Sequence, residues 1–389
     1  MFSARLERIK PFRVMEILAR AAELESQGKD VIHMEVGEPD FPTAPAIVQA
    51  GQQALADGRT RYTPATGIPE LRSAISDYYA QLGVAVDAQR IVVTAGASAG
   101  LNLLASLLID PGQEMLITDP GYPCNEVFVE AVGGVPRRIP VAAAQGFQPR
   151  AEDIAQFWGD PTRALLLASP ANPTGTMVPV DELQRIAEVV QRRTGALIVD
   201  EIYQGMTRQA PYSTVLQLNL PELYVLNSFS KFFGMTGWRL GWLVLPEAAV
   251  PGATKLAQNL FICPSAPAQY AALAAFSADA LETHRNRADE MSQRCQVLHD
   301  GLAEIGLPTP VYPQGAFYLY VDISSTGMHS TTFCTRLLEE YFVAVTPGED
   351  FGAHLSERYV RFAYTVDKDR LIEAVARIKS ALACWSEDA

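Results

Sequence analysis

The chain has 389 residues, 48% of them hydrophobic and 19% charged, the make-up of a globular protein with material for one large domain or two. A formal net charge of −13, with no Lys/Arg-rich run to offset it, argues against nucleic acid or an acidic membrane surface as a partner. Five scattered cysteines without a C-x-x-C pair argue against a disulfide framework and a zinc site, and no apolar run reaches the roughly 18 residues of a membrane span. Residues 1–10 alternate charged and apolar side chains without the apolar stretch of a signal peptide, and the scattered, unpaired cysteines point to a reducing cytoplasm.

In chain order, residues 11–27 set Val14, Ile17, Leu18, Ala21 and Leu24 at helical spacing and stop at Gly28, the pattern of an amphipathic helix. From about residue 90, short apolar strands alternate with helical patterns. The strands are Ile91–Thr94, Met115–Thr118, Ala164–Ala168, Ala196–Val199 and Tyr224–Asn227. The apolar run 101–109 and the stretch around Leu183, Ile186, Ala187 and Val190 lie between them. Unbroken apolar strands separated by helices predict a mostly parallel, doubly wound sheet covered on both faces, so the fold class is α/β. After about residue 285 strict alternation gives way to a long polar-faced helix, strands 317–321, 343–346 and 359–363, and a closing helix over 367–384, the pattern of a smaller α+β domain.

Ligands of doubly wound sheets bind beyond the carboxyl ends of the strands, so the residues there belong together. Thr94-Ala-Gly-Ala-Ser-Ala-Gly100 runs from strand to helix with small residues that let backbone N–H groups approach a phosphate, or that merely pack. Asp119-Pro-Gly-Tyr122 puts an aromatic ring after the next strand, a core or rim residue unless it stacks on a ligand ring. Ala171-Asn-Pro-Thr-Gly175 fixes a turn that aims the Asn172 amide outward. Asp200 ends a buried strand, where a carboxylate needs a helix N-terminus or a cation such as a protonated heterocyclic nitrogen. Tyr203 follows at a spacing that sets a phenol on the same side of a helical turn. Lys231 follows the strand ending at Asn227, among small and apolar residues with Ser228, Ser230 and Arg239 around it. A lysine so placed can lose its proton and attack an aldehyde, the chemistry of a Schiff base; otherwise it is a surface lysine. A carboxylate, an amide, a phenol, a phosphate cradle, an arginine and an amine at successive strand ends fit pyridoxal 5'-phosphate.

With these residues the chain resembles the class I/II aminotransferases of the aspartate aminotransferase fold, fold type I. The resemblance runs through Gly37-Glu-Pro-Asp-Phe41, Tyr62-Thr-Pro-Ala-Thr-Gly67, Asn172-Pro-Thr-Gly175, Ser228-Phe-Ser-Lys231, Gly315-Ala-Phe-Tyr318 and Arg361. It implies a seven-stranded sheet in a large cofactor-binding domain over 46–284, and a small domain built from 1–45 and 285–389. It makes Lys231 the cofactor lysine and proton shuttle and Asp200 the partner of the pyridine nitrogen. Asn172 and Tyr203 are then ligands of the phenolic oxygen, and Tyr122 the stacking ring. The phosphate is expected on Gly96, Ala97, Ser98, Ser228, Ser230 and Arg239, with Tyr62 contributed by the second subunit of a homodimer. Arg361, with the Gly37 backbone and Asn172, is expected to bind the substrate carboxylate, and no metal is expected. The implied reaction is ping-pong transfer of an amino group between an L-amino acid and a 2-oxoacid. A carbon–sulfur β-lyase is the alternative on the same scaffold, and a regulator that senses the cofactor would need a basic DNA-binding segment that this acidic chain lacks. The neutral Ser98 weakens an aspartate-specific reading; Arg5, Arg8 or Lys10 could supply charge instead, and Phe12 could line an apolar pocket.

Overall fold

The structure, a computed structural model, describes residues 2–7, 9, 11, 13–208 and 210–387. Arg8, Lys10 and Phe12 lie outside the described residues.

Among the described residues, twelve strands form three sheets. They are β1 (Ile32–His33), β2 (Ile91–Thr94), β3 (Glu114–Asp119), β4 (Val135–Pro140), β5 (Thr162–Ala168), β6 (Ala196–Asp200), β7 (Leu223–Ser228), β8 (Gly241–Val244), β9 (Tyr318–Asp322), β10 (Val343–Ala344), β11 (Thr346–Pro347) and β12 (Tyr359–Ala363). The large sheet has seven strands in the order β2-β8-β7-β6-β5-β3-β4, parallel except at β8, which runs against both β2 and β7. This is the mixed α/β architecture expected from the alternating pattern.

Strand side chains alternate between two cores. Leu165, Leu167, Val199 and Val225 enter one, while Leu166, Ile198, Tyr224 and Leu226 enter the other. Burial on both faces explains why these strands read as continuous apolar runs. Two strands of this sheet escape the reading of apolar runs. β4 reads Val-Pro-Arg-Arg-Ile-Pro, and its place at the sheet edge tolerates prolines and leaves both arginines part-exposed. β8 is a buried apolar run of four residues, Gly-Trp-Leu-Val, that directly follows the lysine motif and is read as part of it.

The remaining strands form a three-stranded antiparallel sheet, β11-β12-β9, and a parallel pair, β1-β10. The run 343–346, which reads as one strand, is divided between these sheets: Val343–Ala344 pairs with β1, and Thr346–Pro347 with β12. Through β1, the segment after the N-terminal helix Arg13–Ser26 joins the C-terminal third of the chain, with Ile32 opposite Val343. The long helix spans Ala278–Glu304 and starts where the Ser277 hydroxyl accepts the Ala280 N–H. None of the described helices is long and apolar enough to cross a membrane.

Candidate active site

The carboxyl ends of β5, β6 and β7 open into a cavity of about 250 Å³. Lys231, Asp200, Tyr203, Asn172, Tyr122, Ala97, Ser98, Ser228, Ser230, Arg239, Gly37 and Arg361 all line it. These residues span much of the sequence; the parallel sheet gathers Ala97, Tyr122, Asn172, Asp200 and Lys231 at the carboxyl ends of its strands, while Arg361 reaches the cavity from β12 of the small sheet and Gly37 from the segment after β1. Gly96 stands just behind the wall, with a positive φ of 83°. A Cβ there would lie 2.6 Å from Arg239 Nη2, so the guanidinium occupies the space that glycine leaves free. Tyr62 is 82% exposed and is not among the lining residues. Arg5 is also outside the cavity, its guanidinium donating to the Ala131 carbonyl and to Ser3.

At the sheet end the chemistry is ionic but unbalanced. Asp200 accepts the Ile202 N–H at 3.0 Å and has no cation bonded to it among the described residues. Burial pushes its carboxyl up to about 7, against the opposing effects of that hydrogen bond and the Lys231 charge. Lys231 Nζ donates to the Gly37 carbonyl at 2.6 Å. Burial pushes its amine down to about 8; Glu38 and Asp200 oppose that shift, and the charges of Arg361 and Arg239 add to it. An amine that sheds its proton near pH 8 and an unpaired acid that titrates near pH 7 therefore face one chamber. The Tyr203 hydroxyl lies 3.0 Å from that of Tyr318, and burial raises the Tyr203 phenol well above its usual range.

One wall offers donors for an anion. The helix Gly96–Leu108 begins here, and its first N–H groups have no partner within the helix. The Ser228 hydroxyl donates to Ser230 Oγ at 3.0 Å, and Arg239, held in a left-handed conformation at φ 55°, donates to the Thr236 carbonyl.

Arg361, on β12, is 3% exposed. Its guanidinium donates to Asn172 Oδ1 at 3.0 Å, to Thr346 Oγ1 at 3.3 Å and to the Glu35 carbonyl, while Nε is buried without a partner. Tyr318 and Phe351 stack on it at 4.4 and 4.7 Å. Every acceptor bonded to this buried cation is neutral, and Asp350 acts on it through charge alone, so a hydrogen-bonded carboxylate is the partner it lacks.

Several lining residues escape a reading of strand ends. Tyr318 sits over Gly37, where a Cβ would meet its hydroxyl at 2.0 Å, and its block could be seen in the sequence without a role for the ring. Val14, Met15 and Leu18 come from the N-terminal helix, whose inner face reads only as core. That helix is held by Asp350, which accepts the Arg13 N–H at 3.0 Å and the Val14 N–H at 3.4 Å. No local pattern announces so distant a cap.

Known proteins share this chain's sequence and fold. The profile for aminotransferase class I and II matches residues 29–378. A valine–pyruvate aminotransferase of Mycobacterium tuberculosis is 36% identical over 377 residues, covering 96% of this chain and 97% of that one. An aspartate/prephenate aminotransferase of Thermus thermophilus is 32% identical over 390 residues, covering 98% of each. A crystal structure of an aminotransferase from Mycobacterium tuberculosis superposes with a TM-score of 0.94 at 35% identity, covering 99% of each chain. The family is one that uses pyridoxal phosphate, and its members move amino groups between amino acids and oxoacids. This chain belongs to the class I and II aminotransferases, and its reaction is transamination.

Proposed function

We propose that this aminotransferase holds pyridoxal phosphate in the 250 Å³ cavity and takes L-amino acids with apolar side chains, passing the amino group to a short 2-oxoacid such as pyruvate. The observation that carries this is the convergence of Lys231, Asp200, Arg239 and Arg361 on one chamber otherwise walled by apolar and neutral polar groups. The group fits the residues present: an unpaired buried acid, an amine that readily sheds its proton, and a cradle that a Cβ at Gly96 would fill. Bound there, it supplies an aldehyde that joins to amines and a pyridine ring that draws off electrons.

The chain's residues do the rest. Lys231 Nζ, uncharged in part near pH 8, would hold the group through its aldehyde and would take up and return the substrate's α-proton. Asp200 holds a proton on the ring nitrogen, and this pairing offsets the cost of burying both charges. Asn172 gives its Oδ1 to Arg361 and keeps its amide N–H for the phenolic oxygen, where the Tyr203 hydroxyl also donates. Tyr122 stacks on the ring. Gly96, Ala97, Ser98, Ser228, Ser230 and Arg239 bind the phosphate, and the exposed Tyr62 completes the neighbouring site of a homodimer. Arg361 and Gly37 hold the substrate carboxylate, which fixes the Cα–H bond relative to the ring plane.

The substrate class follows from the charges left over. Arg239 faces the phosphate and Arg361 the α-carboxylate, so no cation among the described lining residues remains for a second carboxylate. The apolar part of the wall includes Val14, Met15, Leu18, Leu101 and Ile202, and the side chain is assigned to it. An unpaired carboxylate against that wall costs several kcal/mol. The relative named for valine and pyruvate agrees with this reading. Two domains are also proposed, 46–284 and the joined segments 1–45 and 285–389; the pairing of β1 with β10 supports the join. Five free cysteines favour a cytoplasmic setting.

A donor panel assayed with pyruvate and with 2-oxoglutarate tests the proposal. Valine, leucine and methionine should exceed aspartate and glutamate by at least about tenfold in kcat/KM. A dicarboxylic preference overturns the substrate class, and release of ammonia and pyruvate without an acceptor overturns the reaction in favour of elimination.

A further inference from the structure

Behind Lys231 lies a second chamber of about 180 Å³, between the loop that follows Gly37 and the long helix Ala278–Glu304. Lys231 and Thr236 are walls of both cavities, so the lysine stands at the partition. His284 and Arg287, three residues apart and hence on one face of the helix, line the new chamber.

Their polar groups have nothing to bind. His284 is 1% exposed, and neither ring nitrogen has a hydrogen-bond partner. Its ring packs edge-on against Phe233 and tilted against Phe232, each at 5.5 Å, so it is fixed in place. Arg287 Nη1 is likewise buried and unpartnered, with the guanidinium over the Phe41 ring at 5.3 Å. Asp40, the carboxylate whose charge acts on Arg287, is bonded to Arg294 at 2.8 Å. Burial, reinforced by the Arg287 charge, pushes His284 down to about 4, so the ring is neutral at neutral pH and offers one N–H. Two cations, Arg287 and Lys231, border the chamber against the single carboxylate of Glu38. Buried donors left unmade are costly, and a site that supplies an acceptor relieves that cost.

We propose that this chamber binds a small monovalent anion, a halide or a short monocarboxylate, at the His284 ring and the Arg287 guanidinium, and that the anion acts on Lys231 through its charge. A negative charge beside the amine favours its protonated form and so leaves less free amine to act as nucleophile and base. The effect on turnover, though not the site itself, rests on the role proposed for Lys231.

Crystals of the cofactor-loaded full chain soaked in bromide should show an anomalous peak at His284 and Arg287, absent in Arg287→Met. Turnover in rising bromide, at an ionic strength held constant with bulky HEPES, should fall several-fold in the wild type. The same series with acetate shows whether a carboxylate serves as well as a halide. His284→Phe, which keeps the aromatic packing, and Arg287→Met should both flatten the response. A chamber holding only water, bromide confined to Arg361 and Arg239, or equal inhibition of both variants overturns the proposal. A protein without transaminase activity would instead count against the functional reading, since the anomalous peak decides the site on its own.

Discussion

Arg361 Nη1 donates to Asn172 Oδ1 at 3.0 Å, so one hydrogen bond ties β12 of the small sheet to the turn that follows β5 of the large one. The residue assigned to the substrate carboxylate and a residue assigned to the cofactor ring thus hold each other in place. A shift in either moves the geometry of both, which is how a planar guanidinium transmits orientation as well as charge.

Arg361→Lys keeps the charge and loses the fork. We expect kcat/KM for the amino donor to fall by about 10- to 100-fold, the loss of one to two kcal/mol or more of charged hydrogen bonding, with cofactor affinity nearly unchanged. Arg239→Lys should do the reverse, releasing cofactor before it harms substrate use. Cofactor dissociation and donor kinetics measured on both variants check the pair; cofactor loss from Arg361→Lys would move the carboxylate role elsewhere.

Asp200→Asn separates two effects of one buried acid. The folded carboxyl is raised from 3.8 to about 7, so the unfolded chain gives up its proton first. Stability is therefore drawn down progressively as pH rises from about 4 to 7 and stays lowered above that. Without cofactor, the neutral amide should make the chain more stable at pH 8, on the order of a few kcal/mol at most. With cofactor, turnover should drop sharply because the amide cannot hold the ring proton. Urea unfolding of the cofactor-free forms and kcat of the loaded forms are the measurements; an unaltered kcat would make Asp200 structural.

Gly96→Ala should damage the phosphate cradle. The added Cβ meets Arg239 Nη2 at 2.6 Å, and the φ of 83° strains any L side chain. A stability loss of about 1–2 kcal/mol and a weaker cofactor should appear together in thermal unfolding and in cofactor titration. Cofactor binding at wild-type strength would show that Arg239 does not hold the phosphate.

His33 gives a pH signature away from the cavity. Its Nδ1 lies 2.8 Å from Glu35 Oε1 and its Nε2 3.2 Å from Glu25 Oε1. The Glu35 hydrogen bond leads in raising the ring from 6.5 to about 9. The folded state thus binds the proton more tightly, so the stabilisation is complete below about pH 6.5 and is lost as pH climbs through about 9. Unfolding free energies of the wild type and His33→Gln should converge over that window. A constant gap from pH 6 to 9.5 would contradict the pairing.

How much of this the sequence discloses depends on where the information lies. Lys231, Asp200 and Asn172 each follow an apolar strand, and a strand end in a parallel sheet is already an address. Arg361 carries no such mark, since β12 reads as an ordinary strand, and its role came only with the resemblance. β4 is hidden because an edge strand need not be apolar, and the division of 343–346 is hidden because a change of partner leaves no trace in periodicity. The Asp350 cap and the His284 chamber both depend on contacts between segments hundreds of residues apart. Only the folded chain brings those together.

The central claim is that Lys231 is the amine through which the reaction runs. Borohydride reduction of the cofactor-loaded chain, followed by peptide mass spectrometry, should place the pyridoxyl mass on the peptide that contains Lys231. Lys231→Ala should take up no label and lose nearly all turnover. A label on another lysine, or sustained turnover by Lys231→Ala, would contradict the claim.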